Sequence, residues 1–204
     1  MKWQTGVKWA LAILALLMVK AVIQPSVPGQ NATMDLTRAI LKSQGYSKWE
    51  TYVLDGVSFK SPVRLVYDEK KSQALSKSST EPVVIRVFEA EETFGETSMQ
   101  LIHVTFTKEA IPNLNTHLRE SAERYFLGAG DTDRKYTIVP LELPPFRAGR
   151  LSYLMKHTKT PMYSESIHLV KGKDYWVFHF LRPTDISALA ENFIKDVYFI
   201  GTNK

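Results

Sequence analysis

The chain has 204 residues with no cysteine, and 26 basic residues stand against 21 acidic ones. The lack of cysteine excludes disulfides, thiolate metal sites and a thiol nucleophile. Three of the lysines lie in the first 21 residues, so the remaining chain has 23 basic residues against 21 acidic ones, a net charge of +2. That balance is too small to predict binding to a nucleic-acid backbone.

The N-terminal segment has the pattern of an export signal. Residues 9–19 form an unbroken apolar run flanked by lysines. Eleven residues make a helix of about 16 Å, whereas the hydrocarbon core of a membrane is about 30 Å thick. Val19-Lys20-Ala21 places aliphatic or small residues where a signal peptidase cleaves, which predicts a signal peptide over residues 1–21. Lys20 is untypical there, so a signal anchor through residues 9–23 stays open.

The region after the leader divides into a linker and one domain. Residues 22–32 contain two prolines and a glycine and are predicted to be a linker, and residues 33–204 to be a single domain. Asp55-Gly56 separates two short strand-like runs, which predicts a β-hairpin, because a type I′ turn needs positive φ at both central residues. Before it, apolar residues have the spacing of a short helix, namely Met34, Leu36, Ile40 and Leu41.

The middle of the chain predicts a loop, two strands and a helix. Residues 68–82 are polar and rich in serine and lysine, which predicts a mobile surface loop. Strands are expected at residues 83–88 and 99–106. A helix is expected to begin at the N-cap Asn113 and to end at Gly128. Its apolar stripe is Ile111, Leu114, Leu118, Ala122, Tyr125 and Phe126, and its predicted solvent face holds His117, Glu120, Glu123 and Arg124.

The last third is predicted to be mainly antiparallel sheet. A helix is expected to open at Pro183, and residues 197–200 to form a final strand. Hairpin-paired strands interrupted by amphipathic helices predict an α+β fold, in which an antiparallel sheet is flanked by helices. The four strands before that helix are expected at residues 136–143, 151–157, 163–170 and 175–181.

Four stretches of the chain carry a family resemblance. They are YVLDGVSFKSP (Tyr52–Pro62), LNTHLRESAERYF (Leu114–Phe126), FRAGRLSYLM with HLVKGKDYWVFHF (Phe146–Met155, His168–Phe180) and ISALAENFIKDVYFIG (Ile186–Gly201). Together they resemble the PsbP/Mog1-like superfamily, which includes the DcrB-like bacterial envelope proteins. The resemblance implies an α/β/α sandwich that acts as a binding or assembly module. Relatives dock on a photosynthetic complex, bind a small GTPase or chaperone membrane segments, and the family implies no catalytic residues.

The histidines are the first candidates for a metal site. No HExxH or comparable close pair occurs. His157, His168 and His179 lie on three consecutive predicted strands, but without the strand register it is open whether any two share a face. Ser164 and Ser166 alternate with His168 along one strand, which predicts an exposed polar sheet face. Isolated or hydrogen-bonded histidines are therefore favoured over a shared metal site.

Catalytic and nucleotide-binding motifs are absent from the sequence. Neither GxSxG nor SxxK occurs, and there is no P-loop or GxGxxG. The chain is therefore predicted not to be an enzyme and to hold no cofactor. Trp176, Phe178 and Phe180 share one strand face, which is the pattern of a buried core and not of a nucleic-acid stacking platform.

Two regions are the first candidates for binding a protein partner. The first is the predicted loop at residues 68–82 with Lys70, Lys71 and Lys77, for which a solvated insertion is the alternative. The second is the segment between the leader and the hairpin, where aromatic residues would lie at a membrane interface or cap the sheet. Those aromatic residues are Tyr46 and Trp49.

A third candidate is the stretch LPPFRAGR. Phe146 beside two prolines would be an exposed anchor flanked by Arg147 and Arg150, or would be tucked under the sheet.

The predicted function is that of a non-catalytic, exported protein-binding or assembly domain at the cell envelope, with a membrane complex as its partner. The expected location is periplasmic or extracytoplasmic, with an inner-membrane tether if the leader is retained. The alternative is a periplasmic protein that binds a small molecule or lipid in a cleft between sheet and helix. A hydrolase is the third hypothesis, and nucleic acid is not expected as a partner.

Overall fold

The computed structural model of the chain describes residues 50–61, 63–91, 98–130, 132, 134–156, 161–182 and 198–199. The predicted leader, linker and first helix lie outside these residues, as do Tyr46, Trp49, His157 and the predicted helix after Arg182. Within the described ranges, the helices are too short or too polar to span a membrane.

Ten strands and two helices follow one another along the described residues. In chain order they are β1 (Glu50–Leu54), β2 (Val57–Ser61), β3 (Leu65–Tyr67), α1 (Glu69–Ser78), β4 (Val83–Ala90), β5 (Ser98–Phe106), α2 (Leu114–Ala129), β6 (Tyr136–Leu143), β7 (Phe146–Met155), β8 (Met162–Lys171), β9 (Asp174–Arg182) and β10 (Tyr198–Phe199).

The strands form two antiparallel sheets. Seven of them pair in the order β3-β4-β5-β9-β8-β7-β6, and a smaller sheet has the order β1-β2-β10. Every neighbouring pair in both sheets runs antiparallel. The predicted α+β fold built on an antiparallel sheet is therefore confirmed. The predicted hairpin is confirmed too, since Asp55 and Gly56 have φ of 46° and 81° between β1 and β2.

The predicted mobile loop at residues 68–82 is wrong, because most of it is helix α1. The Asp68 carboxylate caps this helix by accepting a hydrogen bond from the Lys71 backbone N–H at 2.9 Å. The Ser72 hydroxyl accepts from the Val87 N–H at 2.9 Å, and the Ser76 hydroxyl accepts from the Ile85 N–H at 3.0 Å. Both serines bind backbone groups of β4 in the part of that strand that β3 does not pair with. They therefore make tertiary contacts and do not belong to a loop.

Helix α2 begins as predicted and ends two residues later than predicted. The Asn113 side chain accepts a hydrogen bond from the Thr116 N–H at 3.1 Å. The helix passes through Gly128 and ends at Gly130, whose φ of 67° is the left-handed conformation that glycine favours. Gly149 in β7 lets α2 approach the sheet, because a Cβ there would lie 2.6 Å from Cδ1 of Leu118.

The seven-stranded sheet has an apolar core on each face. On the helix face, which α1 and α2 cover, the buried residues include Leu75, Ile85, Val87, Ile102, Val104, Leu118, Phe126, Tyr175 and Val177. On the hairpin face, which β1 and β2 cover, they include Val57, Phe59, Leu101, Ile167, Leu169, Trp176, Phe178 and Phe180. The predicted core role of Trp176, Phe178 and Phe180 is therefore confirmed.

Candidate functional site

A cleft of about 220 Å³ opens between the sheet and the first turn of α2. The start of β4 and the end of β5 form one side, because the register of these strands places Val83 opposite Phe106. The segment that joins β5 to α2 forms the other side. The walls of the cleft are largely apolar, with Val83, Phe106, Ala110 and Ile111 among the lining residues.

Backbone hydrogen bonds hold the walls of this cleft in place. The N–H groups of Phe106 and Ala110 donate to the carbonyl oxygens of Lys173 and Gly172, both at 2.9 Å. The turn between β8 and β9 therefore supports the whole connecting segment. Arg147 supports it from β7, since its guanidinium donates to the Pro112 carbonyl oxygen at 3.0 Å. A cleft fixed in this way is preformed, which is usual for small-molecule sites.

Among the polar side chains that line the cleft, His117 is the buried one. The prediction that it lies on the solvent face is wrong, because it is only 7% exposed. Its ring packs edge-on against Tyr175, with ring centroids 5.5 Å apart. Burial lowers the pKa of His117 to about 4, and the positive charge of Arg124 acts in the same direction. The imidazole is therefore uncharged at neutral pH.

One atom of the His117 ring has unused hydrogen-bonding capacity. Its Nε2 is buried and has no hydrogen-bond partner in the described part of the chain. A buried polar atom without a partner destabilises a fold by about 1–3 kcal/mol. Such atoms are uncommon in folded proteins, and a bound ligand is one of the explanations for them. His117 is therefore the residue that marks this cleft as a candidate site.

A buried polar network continues behind His117 on the helix face. The register of β8 and β9 places Ser166 opposite His179, so His168 and His179 share this face. The Ser166 hydroxyl lies 2.7 Å from Nε2 of His168, whose Nδ1 is hydrogen-bonded to the Tyr175 hydroxyl. The predicted exposed polar face is wrong, since these side chains are all buried.

The second Ser–His pair of this network involves His179. The Ser164 hydroxyl lies 3.0 Å from Nε2 of His179. Burial lowers the pKa of His179 to about 4 and lowers that of His168 as well. Ser164 and Ser166 are 1% and 5% exposed, so a substrate carbonyl does not reach either hydroxyl in this structure. The network is therefore structural. Its hydrogen bond between His168 and the Tyr175 hydroxyl fixes Tyr175, against which His117 packs.

Metal ligands do not converge at the cleft. Across residues 50–182, apart from the gaps in the described ranges, no group of three or more histidine or acidic side chains is arranged to hold a metal ion.

A different polar cluster lies on the hairpin face, around His103. Nδ1 of its ring lies 2.9 Å from Oδ2 of Asp55, and Nε2 lies 2.9 Å from Oδ1 of Asp174. The ring stacks on Trp176 with the centroids 4.9 Å apart. Burial raises the pKa of Asp55, but the hydrogen bond and charge of His103, with the charge of Arg86, lower it further, so the net pKa is lowered. This cluster ties the hairpin turn to the sheet.

The predicted anchor Phe146 is buried. It is 7% exposed and packs edge-on against Trp176 at 5.6 Å, so the alternative in which it is tucked under the sheet is correct. Arg147 is exposed and supports the cleft segment, also lying 3.9 Å from Glu109. Arg150 lies 3.6 Å from Glu165, which accepts a 2.8 Å hydrogen bond from the buried Arg182.

The three predicted partner-binding lysines lie on α1. Lys70 and Lys77 are exposed, whereas Lys71 binds Glu89 at 2.5 Å and lies 3.8 Å from Asp68. Three strands separate β4, where α1 packs, from β7, which carries Phe146 and its flanking arginines. The structure therefore does not bring the two predicted partner-binding regions together.

Comparison with protein-family models gives no match for this chain. Comparison with curated proteins gives none either. Among solved structures, the chain is similar to the extracellular domain of PknH from Mycobacterium tuberculosis. The identity is 11%, the match covers 83% of this chain and 93% of that one, and the TM-score is 0.29. At that score the likeness indicates neither a shared fold nor a shared function.

Proposed function

We propose that the chain is a non-catalytic binding protein of the cell envelope, and that it binds a small molecule in the cleft beside α2. The observation that carries this proposal is the cleft of about 220 Å³ with the buried His117 in its lining. Preformed apolar clefts with a few polar groups are the usual form of ligand sites. Of the two ligand classes that the sequence leaves open, this geometry favours the small molecule over a protein partner.

The location and the family are parts of the same proposal. Support for export comes from the basic, apolar leader in residues 1–21. Support for the PsbP/Mog1-like family comes from the four resembling stretches, together with an antiparallel sheet that carries α1 and α2 on one face, although the other face is covered by the β1–β2 hairpin within the described residues. Because one fold serves many functions, the family alone does not choose between ligand classes.

A protein partner at a membrane complex is the second candidate function. Val66 and Tyr67 are 40% and 48% exposed on β3, the outermost described strand at one end of the large sheet. The exposed Lys70 of α1 follows three residues after Tyr67, beyond Asp68 and Glu69. An outer strand offers backbone groups for pairing, and exposed apolar side chains rimmed by polar residues are typical of a protein-binding surface.

Native mass spectrometry of the full chain, purified in mild detergent from its host, tests the proposal. We expect a species heavier than the protein by the mass of one small molecule. Thr116→Trp should fill the cleft and remove that added mass. Asn115→Trp is the matched control, because Asn115 is exposed on the same helical turn but is not among the residues that line the cleft.

Two results would overturn the small-molecule function. One is a bare protein mass together with a stoichiometric protein partner after cross-linking in native membranes. The other is an added mass that Thr116→Trp and Asn115→Trp affect equally. The first result would support the protein-binding alternative, and cross-links at Lys70 would locate its surface.

A further inference from the structure

The cleft also restricts the chemistry of what it binds, and this inference rests on the proposed function. We propose that the ligand is a compact, uncharged and largely apolar molecule with one hydroxyl group, which hydrogen-bonds to the imidazole of His117. A phenol or a small cyclic alcohol has this chemistry.

The size of the cleft sets the first limit. An apolar protein cavity of about 150 Å³ holds one benzene molecule. The cleft of about 220 Å³ is larger than that by the volume of a few substituent atoms. A single six-membered ring with one or two small substituents therefore fits, whereas a lipid or a drug-sized molecule does not fit within it.

The walls set the second limit. Apolar side chains from both strands and from the connecting segment line the cleft, among them Phe106, Ala110 and Ile111. Removing apolar ligand surface from water against such walls favours binding in proportion to the area removed. The ligand must therefore be mostly apolar for binding to be favourable.

The charges at the rim exclude a charged ligand. Glu120 lies 3.3 Å from the guanidinium of Arg124, and Glu109 lies 3.9 Å from that of Arg147. The remaining lining charges are one carboxylate and one ammonium, Glu81 and Lys108. The rim is balanced only when Arg124 and Arg147, which lie outside the lining, are counted with it, and a charged ligand would then lose its hydration without gaining an excess of opposite charge.

The polar group of the ligand follows from His117. A neutral imidazole has one nitrogen that donates and one that accepts, and the tautomer decides which is which. A hydroxyl suits either tautomer because it both donates and accepts. Nε2 of His117, a residue that lines the cleft, is itself buried and unpartnered, so the proposed contact requires the ring to turn about its Cβ–Cγ bond. The hydrogen bond would then satisfy an atom that has no partner among the described residues.

Four matched probes test this inference by NMR titration of the full chain, followed through the backbone amides that line the cleft. The probes are p-cresol, its isostere p-xylene, benzoate and benzylamine. We expect p-cresol to bind about fivefold more tightly than p-xylene, as one hydrogen bond predicts. Benzoate and benzylamine should bind at least about tenfold more weakly than p-cresol, because each must lose the hydration of its charge.

Three variants assign the effect to His117. His117→Phe should abolish the preference for p-cresol over p-xylene, and His117→Gln, which keeps a hydrogen-bonding group, should retain most of it. Asn115→Ala on the same turn should leave all four affinities unchanged. Retention of the p-cresol preference in His117→Phe would overturn the role of this residue, provided that the variant gives a folded spectrum.

The remaining outcomes separate the ligand class from the proposed function. Charged probes that bind in the cleft as tightly as p-cresol would overturn the ligand class and leave a small-molecule function standing. A complete absence of shifts at the cleft residues with all four probes would overturn the ligand class. If native mass spectrometry then also gives the bare protein mass, the small-molecule function is overturned as well.

Discussion

Two histidines pack against adjacent residues of β9 on opposite faces of the sheet, and their surroundings differ. His103 stacks on Trp176 on the hairpin face, and both of its ring nitrogens lie 2.9 Å from carboxylate oxygens. His117 packs edge-on against Tyr175 on the helix face, and its Nε2 has no partner among the described residues. Both side chains are buried, so burial alone does not explain the difference.

This difference separates a structural histidine from one that is available for binding. A buried polar group with all its partners stabilises one arrangement of the chain, as the bonds from His103 to Asp55 and Asp174 do. A buried polar group without a partner destabilises the fold, and such violations of local consistency are expected at functional sites. On this view the hairpin face holds the domain together, and the helix face carries the site.

The largest expected effect is the pH dependence of stability that comes from the helix face. Burial lowers the pKa of His117 and of His179 to about 4, below the ordinary value of 6.5. Their contribution to stability is therefore complete above pH 6.5. It is lost as the pH falls towards 4, because the unfolded chain takes up protons that the folded chain resists. Each histidine should account for about 3 kcal/mol of that loss.

His179→Gln tests this contribution, since glutamine keeps a partner for the Ser164 hydroxyl. Denaturant unfolding at pH 7 and at pH 4 should show that the loss of stability between them is smaller in the variant by about 3 kcal/mol. A loss equal to that of the unaltered protein would mean that His179 is protonated just as easily in the folded state.

A smaller effect is expected from Asp55 on the hairpin face. Asparagine tolerates the positive φ of 46° at this position, so Asp55→Asn removes only the charge that faces His103 and Arg86. The free energy of unfolding should fall by about 1.5 kcal/mol at pH 7, the low end for a charge-assisted hydrogen bond because the carboxylate is only partly buried.

Because folding lowers the pKa of Asp55, the stability that its carboxylate contributes increases as the pH rises. The stabilisation is present above the ordinary value of 3.8 and is lost as the pH falls through the lower folded pKa. Unfolding curves for the protein and for Asp55→Asn should therefore converge as the pH falls below 3.8. A difference that persists undiminished at low pH would show that the carboxylate does not act through its charge.

Two glycines that bear on α2 give effects of opposite sign, and that of Gly128 is the smallest expected here. Gly149→Ala should destabilise the fold by about 1–3 kcal/mol, because the added Cβ would meet Leu118 at 2.6 Å and push α2 from the sheet. Gly128→Ala should stabilise it by about 0.5–1 kcal/mol, since the residue is helical and its Cβ meets nothing within 4 Å. Thermal unfolding of both variants checks the pair, and equal signs would contradict the packing of α2 described above.

Local signals were sufficient to predict many of the elements. The Asp55-Gly56 turn, the strands around residues 83–88 and 99–106, and the Asn113 cap depend on interactions within a few residues. Helix α1 was missed because Ser72 and Ser76 bond to β4, and their partners lie 15 and 9 residues away. A serine-rich segment without apolar periodicity gives no local sign of such contacts.

The candidate site was missed for a related reason. His117 immediately precedes the buried Leu118, at the border of the apolar stripe, where the helical pattern alone assigns it to the solvent face and its packing against Tyr175 is not visible. The cleft walls meet only through the register of β4 and β5, which pairs Val83 with Phe106, and register is not readable from the sequence alone. The register of β8 and β9 also decides that His168 and His179 share a face, and the sequence alone does not show that register.

The most direct test of the difference between the two faces is the free energy of unfolding, at pH 7, of His117→Phe and of His103→Phe. His103→Phe should lose about 2 kcal/mol, because it removes both hydrogen bonds to Asp55 and Asp174, whose partly exposed carboxylates keep Arg86 and Thr105 as partners. His117→Phe should be as stable as the unaltered protein or more stable, because it removes an unpartnered polar atom and keeps the edge-on contact with Tyr175. A loss in His117→Phe as large as that in His103→Phe would show that His117 is a structural residue and that the cleft is not a binding site built around it.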